Sequence, residues 1–533
     1  MYDILIKNGT VVDGTGNAGF QADVAVKDGK IEAVGPSLSG EAKEVIDATG
    51  LIVAPGFIDW HSHSDLTVLM NFDAANILEQ GITLEIAGHC GVSVAPLGEG
   101  KVANIGYYAK PEQTEAMTVA GGGYAAFLEE VKKLELPTNI TAFVGHGNIR
   151  ASVIGFEGRA PSEDEMADMK AALREAMEAG ALGLSSGLIY PPGSYSTDEE
   201  LIELAKESAK YEGAIYATHM RNEGDRVVES VEATLRLGRE AGIPVAISHH
   251  KVAGQHNKGK SVETLRLMDE AKAAGQIVHL DAYPYDGGST SLMSSIPPKF
   301  AVGGPEALIE KLQDPAIRAE MTALLKEPGA DFENLIYGSG LDHVIVASEV
   351  KTEINGKTLL QLAEESGKDP YDCLYDLLVE TKGEVGAVYR MICPWDMENI
   401  LKYKDTMAGI DGAQSPAREQ FDHPRGGATY PRLIGTFCRD KGFYTLEDCI
   451  HRFTGKAAAA VGFAQKGLIA QGKDADVVIF NFETISGNAD YDCADLPNEG
   501  IEYVFVNGVK AVQGGKITGA KGGKVLLRGG LDA

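Results

Sequence analysis

Basic residues are scarce in this chain: 48 Lys and Arg stand against 77 Asp and Glu, a formal net charge of −29 over 533 residues. That envelope repels phosphate backbones and anionic membrane surfaces, so neither nucleic acid nor a membrane is an expected partner, although a local pocket can carry the opposite sign. Long apolar runs are missing too. Although 44% of the residues are hydrophobic, no run approaches a bilayer span. The start, Met-Tyr-Asp-Ile-Leu-Ile-Lys-Asn-Gly, alternates like a strand and lacks the basic and apolar regions of a secretory signal. Cysteines are few and unpaired in spacing: the six, at 90, 373, 393, 438, 449 and 493, predict free thiols in a reducing cytoplasm rather than a disulfide framework. These exclusions leave a cytoplasmic enzyme, long enough for a large domain plus a smaller one.

The two ends share one rhythm. Ile4–Lys7, Thr10–Val12 and Ile31–Val34 are β-branched runs punctuated by Asn8-Gly9 and Asp13-Gly14, and Asp476–Phe480, Val504–Val506 and Lys524–Leu527 repeat the pattern. Residues 1–54 and 465–533 are therefore expected to build one small β-sandwich domain. The middle differs. A capping box, Ser162-x-x-Glu165, precedes Met166, Met169, Leu173 and Met177 at helical spacing, and Gly180 ends that helix before Ala181–Leu184. The unit recurs with Gly242 before Ile243–Ser248 and Gly275 before Ile277–Asp281. Helix, glycine and buried strand in repetition mark parallel βα units, so residues 55–464 are expected to form a TIM-like (β/α)8 barrel, an α/β fold. Residues 287–342, rich in Gly, Ser and Pro with helical pieces, read as an insertion that forms a lid.

In such a barrel, chemistry sits where strands end. His61 and His63 follow the buried run Phe57, Ile58, Trp60, and alternation aims two imidazoles at one face. His219 closes Ala214–Ala217, His249 closes Val245–Ser248, Cys90 follows Ile82–Ala87, and Asp411 lies in Gly-Ile-Asp-Gly. A lone strand-end histidine is often structural, and a lone Cys90 is often a buried small hydrophobe. Imidazoles, one thiolate and one carboxylate on one rim together suit zinc, which accepts nitrogen, sulfur and oxygen.

The chain resembles the amidohydrolase superfamily and, within it, the N-acyl-D-amino-acid deacylases (D-aminoacylases), almost from end to end. The resemblance rests on Gly-Phe-Ile-Asp-Trp-His-Ser-His-Ser-Asp (56–65), Gly-His-Cys-Gly-Val-Ser (88–93), Val-Gly-His-Gly-Asn-Ile-Arg (144–150) and Gly-Leu-Ser-Ser-Gly-Leu-Ile-Tyr-Pro-Pro-Gly (183–193). It continues through Thr-His-Met-Arg-Asn-Glu (218–223), Ser-His-His-Lys (248–251), Asp-Ala-Tyr-Pro-Tyr (281–285) and His-Pro-Arg (423–425). It departs at His89, where Asn is frequent, at Ile410, where Ser is usual, and in a longer segment after Asp411.

The resemblance implies zinc-dependent hydrolysis of N-acyl-D-amino acids, small-molecule substrates, to a carboxylate and a free D-amino acid. It puts Cys90, His219 and His249 on a tightly held zinc and His61, His63 and Asp411 at a weaker neighbouring position, with one or two working metals left open. Asp411 is the expected proton carrier between water and leaving amine. An α-carboxylate in an acidic protein needs local cations, which Arg425 supplies bidentately and Lys251 as a point charge. By resemblance Tyr283 and Ser289 add hydroxyls, though Tyr283 reads equally as a packed barrel tyrosine. His250 is expected to face the barrel wall. Two alternatives stand beside this reading. One is a dihydroorotase- or hydantoinase-type cyclic amide hydrolase, which would need a carbamylated lysine that 143–146 and 182–185 lack. The other is a non-catalytic metal-binding paralogue.

Overall fold

The computed structural model describes residues 1–97, 122–328, 331–348, 350–415 and 423–532. Eight parallel strands form the barrel. In order they are Phe57–Asp59, Ile82–Ala87, Asn139–Ala142 (resuming as Val144–Gly145), Gly183–Gly187, Ile215–His219, Val245–Ile247, Val278–Ala282 and Thr406–Ala408. The first three pair in one sheet and the others in a second. Backbone hydrogen bonds stitch the two together: Trp60 N donates to Ala408 O (3.0 Å) and Leu182 N to Ala142 O (2.9 Å).

Alternation explains which side chains fill the barrel. Ile58, Leu84, Ile86, Ile215, Ala217, Ala246 and Met407 pack with Trp60 and Phe143 in one buried cluster, whereas Tyr216, Val245, Ile247 and Leu280 belong to the larger core shared with the helices. The parity that points Ile215 and Ala217 inward carries His219 inward at the end of its strand. The helix Glu163–Glu178 begins with the expected capping box, Ser162 and Glu165 each satisfying the other's backbone N–H, a device worth about 1 kcal/mol. Gly242 caps Val227–Ala241 in the left-handed region.

Both termini enter one nine-stranded sheet in which Ile52–Pro55 pairs with Val477–Phe480 antiparallel and with Thr10–Val11 in parallel. Its core is Ile4, Ile6, Val24, Val26, Val53, Val477, Ile479 and Phe505. This is the β-sandwich domain beside the TIM barrel. Lys524–Leu527 does not join it. Val525 bridges Ile140 of the third barrel strand, and Leu526 packs into the barrel interior, so this tail plugs the barrel floor.

The insertion is longer than its composition indicates. Chain between the seventh and eighth barrel strands builds an antiparallel sheet of Gly288–Ser291, Gly386–Tyr389 and Val344–Ala347. Helices Pro305–Lys311, Pro315–Leu325, Leu359–Ser366 and Pro370–Glu380 accompany it. It has its own hydrophobic core, including Leu292, Met293, Leu308, Met321, Val344, Leu374 and Tyr389, and runs on to Ile392 rather than ending near Asp342. No helix among the described residues is long and apolar enough to cross a membrane.

Candidate metal centre and active site

At the C-terminal rim of the barrel, six expected side chains converge. Cys90 Sγ lies 3.4 Å from His61 Nε2, 3.2 Å from His249 Nε2 and 3.9 Å from His219 Nδ1. Asp411 Oδ1 lies 3.2 Å from His63 Nε2 and 3.5 Å from His61 Nε2. Two donor sets result, His61–His63–Cys90–Asp411 and Cys90–His219–His249, each with its ligand atoms within 4.8 Å of one another, and Cys90 belongs to both. A tetrahedral zinc with one sulfur and nitrogen ligands holds neighbouring donor atoms about 3.6 Å apart, so the spacing fits such an ion.

The backbone is strained to achieve this. Cys90, His249 and Asp411 all have left-handed φ (56°, 35° and 48°) without being glycine, a conformation that costs on the order of 1–3 kcal/mol each and collects at functional sites. Behind them the chains approach closely. A Cβ on Gly187 would lie 2.0 Å from Cys90 O, and one on Gly409 would lie 2.4 Å from His61 Cβ.

Burial keeps His61 and His219 neutral, the form that ligates. Burial, followed by the neighbouring His89, drives His61 well below the usual range, and burial lowers His219 to about 3 against the pull of Glu223. Burial alone would favour a protonated Asp411, yet Arg425 holds it well below the usual carboxylate range. Burial pushes the Cys90 thiol up, and Asp411 adds to that, so a thiolate here calls for a bound cation.

Outer partners hold these side chains in place. Glu223, 1% exposed, places Oε2 3.2 Å from His219 Nε2 and Oε1 3.2 Å from His249 Nδ1, one carboxylate serving both rings. Lys251 Nζ sits 2.8 Å from Glu223 Oε2 and 2.6 Å from His249 Nδ1. Asp281 Oδ1 is 3.5 Å from His61 Nδ1, and Asp59 Oδ1 accepts from the backbone N–H groups of His61 and Ile410. His89 stacks on His61 at 4.0 Å between centroids. His250 turns away from the site, its Nε2 2.9 Å from Thr264 Oγ1 of the following helix.

A cavity of about 370 Å³ opens above these groups, lined also by Lys251, Tyr283, Ser289 and Arg425 and by Glu333, Leu335, Tyr389 and Met391 of the insertion. Arg425 contacts Asp411 Oδ2 at 2.8 Å, donates to the backbone carbonyl of Ser289 (3.2 Å) and stacks 4.7 Å above the Tyr283 ring. The guanidinium expected to hold a substrate carboxylate thus also grips the expected proton carrier. Residues 416–422, in the long segment after Asp411, lie outside the described residues.

Residues 44–338 and 419–512 match the amidohydrolase family. A D-aminoacylase of Alcaligenes xylosoxydans xylosoxydans is 36% identical over 99% of this chain and 98% of its own length. The chain belongs to the amidohydrolase family, in its D-aminoacylase branch. The solved N-acyl-D-glutamate deacylase of Bordetella bronchiseptica, complexed with zinc and a phosphonate mimic of the tetrahedral intermediate, superposes with a TM-score of 0.82 at 31% identity, covering 99% of each chain. An L-hydantoinase of Arthrobacter aurescens, 18% identical, shares the fold alone: its TM-score is 0.56, covering 99% of this chain and 100% of its own. This amidohydrolase is a metal-dependent enzyme.

Sequence reasoning missed Glu223, Asp281 and Glu333. Glu223 had a signal, its i+4 spacing from His219. Glu333 had none: it arrives from the insertion, is 7% exposed, and accepts from Glu223 N at 2.7 Å, while burial and then Glu223 push its carboxyl up to about 8.

Proposed function

We propose that this protein hydrolyses the amide bond of N-acyl-D-amino acids, releasing a carboxylate and a free D-amino acid, with zinc held by Cys90, His219 and His249 and a weaker position formed by His61, His63 and Asp411. The observation that carries the reading is a cysteine shared by two donor sets on a D-aminoacylase fold. When bound, zinc supplies a Lewis acid for the acyl carbonyl and acidifies the attacking water. Asp411, kept ionised by Arg425, takes the water's proton and delivers it to the departing amine. Lys251, Tyr283, Ser289 and the remaining donors of Arg425 orient the α-carboxylate. A fixed carboxylate and a fixed carbonyl leave one direction for the side chain, which supports selection of one enantiomer.

The preferred side chain is neutral. Among the described residues lining the cavity, Lys251 and Arg425 are the Lys and Arg side chains, and each already faces a carboxylate, Glu223 or Asp411. Among the described residues, the cavity therefore offers no unpaired Lys or Arg to a second substrate carboxylate. The free cysteines support a reducing compartment such as the cytoplasm.

A panel of N-acetyl-D-leucine, N-acetyl-L-leucine, N-acetyl-D-glutamate, hydantoin and dihydroorotate tests the reading. D-selective deacylation with leucine above glutamate is expected, and ring opening without deacylation would overturn it. Cys90→Ala should lose most bound zinc by elemental analysis, and full occupancy in that variant removes Cys90 from the ligand set.

A further inference from the structure

The insertion touches the metal centre at a point that the proposed chemistry does not use. We propose that Glu333 is a positioning residue which transmits the seating of the insertion to the two zinc-binding histidines through Glu223. The inference rests on the metal assignment made above.

The geometry forms a short chain of contacts. Glu333 Oε2 accepts the backbone N–H of Glu223 at 2.7 Å, and the adjacent Phe332 carbonyl accepts from Asn222 Nδ2 at 3.4 Å. Two consecutive residues of the insertion therefore clasp two consecutive residues of the loop that follows the fifth barrel strand. Glu223 in turn holds His219 and His249 from behind, each at 3.2 Å. Glu333 Oε1 is buried without a hydrogen-bond partner, and His219, Glu223 and Glu333 bring one ligand atom each within 4.8 Å of the others. Two acidic side chains at that range beside an imidazole form a polar cluster whose geometry depends on every member.

The insertion end is held from its own side as well. Asn334 donates to the carbonyls of Leu325 and Glu327 at 3.2 and 2.8 Å, and its side chain accepts from Tyr337 N to start the helix Leu335–Ser339. Leu335, two residues from Glu333, lines the cavity. A displacement of this segment therefore moves the cavity wall and the support of Glu223 together. Outer partners of this kind tune metal affinity and ligand orientation.

Cobalt substitution reads the ligand geometry independently of turnover, because a thiolate and two imidazoles around cobalt give a visible spectrum sensitive to their arrangement. Wild type, Glu333→Gln, Glu333→Ala and Leu335→Ala are loaded with cobalt, and zinc release to a chelator is timed in parallel. Glu333→Ala is expected to shift the cobalt bands, speed zinc release about tenfold and lower kcat more than it raises KM. Glu333→Gln, which keeps an acceptor for Glu223 N–H, should restore the spectrum and the zinc retention. Leu335→Ala loosens the same wall without touching Glu223, so it should raise KM and leave the cobalt bands in place. Unchanged bands and unchanged zinc release in Glu333→Ala overturn the proposal, as does an equal shift in Leu335→Ala. If the alanine protein does not fold, Glu333→Met keeps the volume and is read by the same criteria. A wild type that takes up no cobalt overturns the metal reading along with it, whereas a cobalt-binding wild type inactive on N-acyl-D-amino acids overturns the substrate reading alone.

Discussion

Replacing Glu223 by Gln removes one charge from the most heavily shared side chain in the site. Its Lys251 partner is 4% exposed, and the carboxylate overrides burial to raise the Lys251 pKa. Removing one partner of a buried ion pair costs about 3–5 kcal/mol, because the other charge is left without compensation. The amide oxygen of Gln still accepts from Lys251, which favours the lower end. At about 2.1 cal/mol/K per residue, a chain of this length unfolds with an entropy near 1.1 kcal/mol/K, so the loss corresponds to roughly 3–4 °C in Tm. The same substitution weakens the support of His219 and His249, for which losses of about 10–100-fold in zinc affinity are expected. Calorimetry on metal-depleted protein reads the first effect, and zinc titration against a chromophoric chelator reads the second. A Tm within about 1 °C of wild type together with unchanged zinc affinity would refute the reasoning, since it would mean that Glu223 neither neutralises Lys251 nor orients the histidines.

Asp411→Asn keeps the size of the side chain but cannot accept a proton, so kcat should fall by a factor on the order of 100 or more with the fold retained; near-normal turnover would move the base elsewhere. Gly409→Ala drives a methyl group onto His61 and Asp281, and it should weaken metal binding while Ala substitution at the open Gly462 leaves the metal content unchanged. Acid stability depends in part on Asp405, just before the eighth barrel strand. Burial opposes its ionisation, but Lys272 and Lys456 lower its pKa to about 2. A carboxyl depressed on folding contributes stability that is present above its unfolded value and lost as pH falls through the folded one. Asp405→Asn should therefore flatten the fall in Tm between about pH 4 and pH 2, and an unchanged slope in that window would show that the two lysines do not stabilise the fold through Asp405.

The barrel is legible in the sequence because its signals are local. The box of Ser162 and Glu165, the caps at Gly180 and Gly242 and the apolar runs after them each specify a helix end or a strand within a few residues. The convergence at the rim is legible for the same reason, since a side chain at a strand end is placed by the strand. The insertion boundary is not. Val344–Ala347 and Gly386–Tyr389 are short apolar runs like those of the barrel, and only tertiary pairing with each other and with Gly288–Ser291 shows which sheet they join. Lys524–Leu527 failed similarly: its alternation fits a sandwich strand, but Leu526 finds a better apolar surface under the barrel. The grip of Arg425 on Asp411 is a choice between two acceptors, a substrate and a neighbour, that residue types alone leave open.

The seam between the two ends of the chain has a consequence for synthesis. Ile52–Pro55 is a buried strand whose second edge is filled only by Val477–Phe480. On a ribosome adding roughly 5–20 residues per second, that partner emerges on the order of 20–80 s later. Throughout that interval the N-terminal strands present an apolar, unsatisfied edge to whatever is nearby, including the same segment on the next ribosome of a polysome. The yield of correctly assembled protein should thus depend on elongation rate and on capture of nascent chains.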